Sequence, residues 1–391
     1  MNLNKVYNLL NSYRSNDWRK SFVPFILGCV AIWIFYFQIQ FDISSFILYL
    51  LSILTTIGFA ALGYFINEYY DIEFDKKAGK KNRLSFLSSK QQYMLLIAAS
   101  LLTLLPWFWL PSNYWSWIFI SVQIVAYFLY SHPIIRGKEI PFFSNFLDAI
   151  YAYTLPAILA HYTYARYSGI KINEPLLILF LFALFLIGFR NILVHQIKDM
   201  FYDKIVEIRT LPMILGVKKT HYLIILLQIA EVVLFSFFLF ILSKRYFVFT
   251  IFLCLYILSL FIMQVVFLLK EKYTFYTINS GSLIPNKFYH VYFPIIAFSL
   301  MIYYDYRWII ALPFIIPFIN FGFMRVIFGF YLKIFSSLRV KVIHAYYRCT
   351  HYFGYVKLAI NYLIFYFFLL FKINLKEKKM SALQYLKSLF S

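Results

Sequence analysis

Long apolar runs, broken only by short polar segments, recur through most of this chain. A membrane-spanning helix needs roughly 20 mostly apolar residues, with about 17–25 the usual range. Runs at 21–40, 44–66, 93–110, 114–131, 142–164, 175–196, 221–242 and 246–269 fit that requirement. Two more, 289–304 and 308–324, are separated only by Asp305-Tyr306-Arg307 and read as a bent hairpin or as one broken helix. Backbone groups in lipid must be satisfied within their own segment or barrel, so the runs predict helices. Only 14% of the 391 residues are charged and 62% are hydrophobic, whereas soluble domains carry about 25% charged residues. The expected fold is an all-α integral membrane bundle of nine to ten transmembrane helices.

The charge is lopsided as well as sparse: 37 Lys and Arg face 16 Asp and Glu, a net +21. In a soluble chain such an excess would suggest nucleic acid. Here the cations sit in the short segments between apolar runs, so nucleic acid is excluded as a partner and membrane lipid or a polyanionic substrate takes its place. If the N-terminus is cytoplasmic, residues 1–20, 71–92, 132–141, 197–220 and 270–288 face the cytoplasm and hold 20 Lys and Arg; the opposite segments hold five. This bias sets the orientation and predicts a multi-pass cell-membrane protein with its N-terminus and these loops cytoplasmic. Three regions follow: a cytoplasmic amphipathic segment at 1–20, a membrane domain at 21–324, and a basic amphipathic tail at 325–391. The start is too polar for a signal-peptide core, and Cys29, Cys254 and Cys349 are isolated, with no disulfide framework.

The scarce carboxylates are not scattered. Two cytoplasmic span ends read Ile66-Asn67-Glu68-Tyr69-Tyr70-Asp71-Ile72-Glu73-Phe74-Asp75 and Gln196-Ile197-Lys198-Asp199-Met200-Phe201-Tyr202-Asp203. Residues four apart share a helix face, so Asn67, Asp71 and Asp75 form one stripe and Asp199 and Asp203 another. Carboxylates this close stay ionised only with a counter-charge. Hard divalent cations are the obvious one, and Mg²⁺ commonly takes one or two carboxylates plus substrate phosphates. Basic residues follow each stripe: Lys76, Lys77, Lys80, Lys81 and Arg83 after the first, Lys204, Arg209, Lys218 and Lys219 after the second. Carboxylates for a metal beside cations for phosphate describe a diphosphate site. The plainer alternative is helix-end carboxylates paired with loop lysines. Two matched stripes on one membrane face favour the duplicated site.

At these residues the chain resembles the UbiA-type intramembrane prenyltransferases. Their N-x-x-x-D-x-x-x-D signature is matched by Asn67, Asp71 and Asp75, followed by Asn82-Arg83-Leu84 in place of N-R-P. Their D-x-x-x-D signature followed by R-T-L-P is matched by Asp199, Asp203 and Arg209-Thr210-Leu211-Pro212. A looser element is matched by Tyr130, Ser131, Pro133, Arg136 and Lys138. The resemblance covers roughly residues 20–305. It implies that Asn67, Asp71, Asp75, Asp199 and Asp203 hold Mg²⁺, which binds the diphosphate of a polyprenyl donor. Arg83, Lys138 and Arg209 would hold its oxygens, with Lys80, Tyr130, Arg136 and Lys198 completing the substrate-binding set. The departures are Tyr202 where many members have Gly, Leu84 for Pro, His195 at the place matching Asn67, and the added tenth span and tail.

The implied reaction is transfer of a polyprenyl group to a hydrophobic or lipid-like acceptor with release of pyrophosphate. An aromatic quinone or chromophore precursor is the favoured acceptor; a glycerol-phosphate lipid or phosphoribose is the alternative, and a transporter is the competing class. Arg190 lies inside a span, where a charge ordinarily faces the bundle interior and is paired. It reads either as acting on the acceptor together with Asn191 and His195, or as an interhelical ion pair, for instance with Asp148. Glu231, in the seventh run, reads as a hydrogen-bonding residue of the bundle.

Overall fold

A computed structural model of the protein describes residues 13–170, 174–270, 286 and 288–319. Among these there is no strand. The helices are α1 (Ser15–Trp18), α2 (Phe22–Tyr36), α3 (Ile43–Lys77), α4 (Ser89–Leu104), α5 (Tyr114–Ser131), α6 (Phe143–Ala149), α7 (Leu155–Ser168), α8 (Glu174–Ile205), α9 (Leu211–Leu215), α10 (Val217–Arg245), α11 (Val248–Lys270), α12 (Phe293–Tyr304) and α13 (Leu312–Ile315). The chain divides into two compact units, Met1–Leu260 with Tyr273–Ile319, and Phe261–Lys272 with Asn320–Ser391. Every residue discussed below belongs to the first; of the second, only the end of α11 falls among the described residues. The tail expected at 325–391 and the first part of the amphipathic segment, 1–12, lie outside them.

Each of the ten predicted runs overlaps described helix. Among the described residues four stretches are long and apolar enough to cross a membrane: α3, α4 with its extension to Phe108, α8 and α10. Others are shorter or interrupted. The run 142–164 is not one regular helix, because α6 passes into a π turn at Ile150–Thr154 before α7 begins. The described part of 308–324 breaks into 3₁₀ turns around the four-residue α13. Pro313 and Pro317 lie in that run, and each removes a backbone donor and clashes with the preceding turn.

Local sequence sets where the long helices begin. Asp42 and Ser45, Ser88 and Gln91, and Asn113 and Ser116 form reciprocal capping boxes at the starts of α3, α4 and α5, each satisfying donors that a first turn leaves open. From its cap α3 runs 35 residues, about 52 Å at 1.5 Å per residue. A hydrocarbon core is about 30 Å thick. The last turns of α3, which carry Asp71 and Asp75, therefore project beyond it. The 32-residue α8 does the same with Asp199 and Asp203.

Around these two the bundle closes: α8 packs along α10, α3 along α4 and α5, and α2 against both α7 and α12. Residues 13–18 dock onto α3 and α4. The Tyr13 hydroxyl donates to the Leu95 carbonyl at 2.6 Å, and Arg14 pairs with Asp17 and with Glu68. The α3–α4 contact is a backbone contact, since a Cβ on Gly58 would sit 2.4 Å from the Thr103 nitrogen and 2.5 Å from the Leu102 carbonyl carbon. Small residues let membrane helices approach in this way. Gly58→Leu is expected to destabilise the protein by at least about 1–3 kcal/mol through overpacking, read as a lowered melting temperature in detergent. An unchanged midpoint would show that the two helices do not meet there.

Candidate active site

The ends of α3 and α8 converge. Asn67, Asp71 and Asp75 from α3 and His195, Asp199 and Asp203 from α8 line one cavity of about 150 Å³. Tyr130 at the end of α5, Lys80 from the loop after α3 and Lys138 from the loop after α5 share its wall. The two stripes that the four-residue spacing defined are thus halves of one site. His195, the counterpart of Asn67, is exposed to the cavity one turn before Asp199.

Two ammonium groups provide the counter-charge. Lys138 Nζ donates to Asp71 Oδ1, and Lys80 Nζ donates to Asp199 Oδ2 at 3.3 Å. Lys80 follows the first stripe in sequence yet bonds the second, so it ties the two halves together. It also lies 4.8 Å from the Tyr202 ring centroid. Lys138 and Asp71 are largely buried. Burial pushes the Lys138 ammonium below its ordinary value, and Asp71 pulls it back up. Lys138→Met is therefore expected to leave Asp71 without its buried partner and to weaken donor binding at least about tenfold, a loss typical of a charge-assisted hydrogen bond. Equal donor affinity in the variant would contradict this role for Lys138.

The outer residues hold this geometry. Asn82 Nδ2 donates to Asp75 Oδ2 at 3.0 Å and to the Glu68 carbonyl at 2.8 Å, while its Oδ1 accepts from the Leu84 and Ser85 amides. Glu68 in turn accepts from the Arg83 amide and from Arg14. On the other side the Ser131 hydroxyl donates to Asn67 Oδ1 at 3.3 Å. Gln196 bonds Ser144 and Asn145, which fixes α8 against α6. The positioning roles of Glu68 and Gln196 were not apparent in the sequence, although both stand next to site residues there. Phe74, Tyr202 and Thr210 also line the cavity; the Thr210 hydroxyl is buried with no partner among the described residues.

Other residues implied by the motifs lie outside the cavity wall. Lys198 and Arg209 are exposed. Arg83 contributes its backbone amide to Glu68. Arg136 adopts a left-handed backbone (φ 39°), pairs with Glu139 and places its guanidinium 3.4 Å from the centroid of Phe74. Arg190 is fully buried: its Nε and Nη2 donate to Glu231 at 2.8 and 3.0 Å, and Nη2 also reaches Asn286 at 2.7 Å. The interhelical pair is formed, with Glu231 rather than Asp148 as the partner, because α10 lies along α8 while Asp148 bonds within its own turn. Asn191 joins this cluster through Asn286 and Tyr153.

Hard oxygen donors from two helices facing one cavity, with lysines beside them, are the donor chemistry that Mg²⁺ takes. Among the described residues no three His, Cys, Asp or Glu are drawn together tightly enough to hold a metal ion; the ammonium groups of Lys80 and Lys138 engage the carboxylates instead. The donor types fit the ion, and the side chains would have to turn from lysine to metal.

Comparison with known proteins places this architecture. A UbiA homolog from Archaeoglobus fulgidus bound to GPP and Mg²⁺ superposes with a TM-score of 0.51 at 18% identity, covering 75% of this chain and 99% of that one. The same homolog bound to DMAPP and Mg²⁺ gives 0.52 at 17%, covering 75% and 99%. A structure of digeranylgeranylglyceryl phosphate synthase gives 0.50 at 17%, covering 77% and 98%. No curated protein matches the chain in sequence. At these identities the structures establish a shared fold. Membership rests on sequence: the profile of the UbiA prenyltransferase family matches residues 21–274, more than half of the chain, so this protein belongs to the UbiA prenyltransferase family.

Proposed function

We propose that the protein transfers a polyprenyl group from its diphosphate to a membrane-associated acceptor, in a Mg²⁺-dependent reaction that releases pyrophosphate. The observation that carries this reading is the single cavity at which four carboxylates from two helices meet two lysines. Asn67, Asp71, Asp75, Asp199 and Asp203 would hold the metal, whose charge makes the diphosphate a better leaving group. Lys80 and Lys138, released from Asp199 and Asp71, then face the diphosphate oxygens. His195 and Tyr130 have hydrogen-bonding groups on the same wall. Arg83, Arg136, Lys198 and Arg209 add positive charge around it, which draws in an anionic substrate.

The allylic carbon must be kept from water while it is cationic. The apolar bundle next to the cavity does this and admits a prenyl tail. Its many aromatic rings present faces attractive to the cationic carbon, and an aromatic quinone or chromophore precursor is the acceptor we favour. The likeness to digeranylgeranylglyceryl phosphate synthase supports the second reading, a glycerol-phosphate lipid. A transporter would place the ionisable groups of its site near the bilayer midplane; here the carboxylates and lysines that line the cavity sit at helix ends and in loops, and the interior Arg190–Glu231 pair is closed on itself. The Lys/Arg distribution supports a cytoplasmic catalytic face, with 21–324 as the catalytic domain and the basic tail at 325–391 held on anionic lipid.

The direct test supplies membranes containing the protein with labelled polyprenyl diphosphates of several lengths, Mg²⁺ and a panel of acceptors. Prenylated product is expected. If none forms with any donor, the reading fails.

A further inference from the structure

Asp148 stands apart from the groups assigned to the metal. It lies in the last turn of α6, just before the π turn Ile150–Thr154, and inside the apolar run 142–164. A carboxylate in such a run ordinarily has a cationic partner. The buried cation of the neighbouring α8, Arg190, is engaged by Glu231. Among the described residues Asp148 forms no ion pair, and its one hydrogen bond comes from the Tyr151 hydroxyl to Oδ1 at 2.6 Å. Oδ2 accepts none.

Its surroundings are tyrosines. The Tyr151 ring meets Tyr130 edge-on at 5.4 Å, and Tyr64, Tyr130 and Tyr153 lie close enough to feel the Asp148 charge. These four tyrosines and Asp148 lie deep in the bundle, yet each keeps partial exposure. Side chains this deep that still keep accessible surface imply a chamber between them rather than a packed core. Tyr130 also lines the carboxylate cavity and feels Asp71, Asp199 and Asp203 as well as Asp148. The chamber therefore adjoins the donor site across one tyrosine. A π turn displaces side chains from regular helical register and recurs at functional sites; here it carries Tyr151 and Tyr153 into the chamber wall.

We propose that Asp148 is the acceptor-facing carboxylate: it receives the hydrogen bond of a hydroxyl, phenolic or alcoholic, on the acceptor and takes that proton during transfer. This rests on the donor reading above. The C1–O bond of the donor breaks with its electron pair leaving on pyrophosphate. The acceptor oxygen forms the new bond to C1, and its proton passes to an Asp148 oxygen, so no oxidant or reductant enters. The Tyr130 and Tyr151 rings flank the path of the cationic carbon. A carboxylate in a low-dielectric chamber also selects its partner, because an acceptor bringing its own carboxylate would set two anions together. The acceptor class is thus a neutral phenol or alcohol, which favours the aromatic precursor over the anionic glycerol-phosphate lipid.

The test uses the full chain in liposomes with geranyl diphosphate and Mg²⁺. Three acceptors are offered: hydroquinone, its carboxylated analogue 2,5-dihydroxybenzoate, and 1-monooleoylglycerol. Product is expected from hydroquinone or the monoacylglycerol and not from the dihydroxybenzoate. Asp148→Asn is expected to bind geranyl diphosphate with Mg²⁺ within about twofold of the unaltered chain, which also shows that it is folded. Its product formation should fall at least about 100-fold, the scale of a lost general base, and Asp148→Glu should recover part of it. Unchanged turnover in Asp148→Asn overturns the proposal. So does preference for the dihydroxybenzoate, or absence of product from both hydroxyl acceptors while donor is bound. Failure of the unaltered chain to bind geranyl diphosphate overturns the donor reading itself, and is told apart because it appears before any Asp148 variant is made.

Discussion

Asp71→Ala and Asp199→Ala are each expected to lower prenyl transfer at least about 100-fold, the scale of losing one electrostatic stabiliser of a developing charge. The two residues lie on different helices and in different halves of the cavity, yet each is bonded to a lysine that reaches in from a loop. Removing either carboxylate leaves that lysine free to hold diphosphate oxygens in the ground state. What is lost is the ability to gather metal charge on the leaving group. The fall should therefore appear mainly in kcat, with KM for the donor changing less, because the missing interaction strengthens toward the transition state. Turnover measured over a range of donor concentrations makes the distinction. Equal turnover in both variants would remove the two stripes from the mechanism, and a rise in KM alone would reduce them to binding groups.

Arg190 and Glu231 carry the second large effect, on stability. Both side chains are fully buried and are joined by two hydrogen bonds. Breaking a buried pair by deleting one partner strands the other charge and costs about 3–5 kcal/mol. Glu231→Ala and Arg190→Ala are each expected to lose most folded protein on solubilisation. Replacing both at once with apolar residues of similar size, Arg190→Met with Glu231→Leu, is expected to recover much of the loss, since no charge is left unpaired. The measurement is the monodisperse fraction and melting temperature in detergent. If the double variant is as damaged as the single ones, the network through Asn286, Asn191 and Tyr153 matters more than the ion pair.

Much of this was legible in the sequence because helical spacing is a strong constraint. Asn67, Asp71 and Asp75 occupy one face at any tilt of the helix, and the same holds for His195, Asp199 and Asp203. What spacing cannot show is which loop reaches which helix. Lys80 follows the first stripe yet bonds Asp199 of the second, and only the convergence of α3 and α8 makes that contact short. Arg190 was legible as a residue needing a partner, but choosing Glu231 over Asp148 depends on which helix lies alongside, and no local pattern encodes that. The run 142–164 was read as one span because hydropathy does not register a π turn. The run 308–324 contains prolines that mark its breaks, although its apolar content alone suggests continuity.

The Asp148 chamber has the same origin. A single carboxylate in an apolar run gives no stripe and no motif, and its role emerges only once Arg190 is seen to be engaged elsewhere and four tyrosines are seen around it.

The central claim is that the two carboxylate stripes form one metal-dependent diphosphate site. Equilibrium binding of labelled geranyl diphosphate to the purified full chain, with Mg²⁺ and then with excess chelator, tests it most directly. The account predicts saturable binding that chelation weakens at least about tenfold in the unaltered chain, and a smaller response to chelation in Asp71→Ala and in Asp199→Ala, where a freed lysine holds the diphosphate in place of the metal. Binding to the unaltered chain that is indifferent to chelator, or binding to both variants that is as sensitive to chelator as that of the unaltered chain, would contradict it.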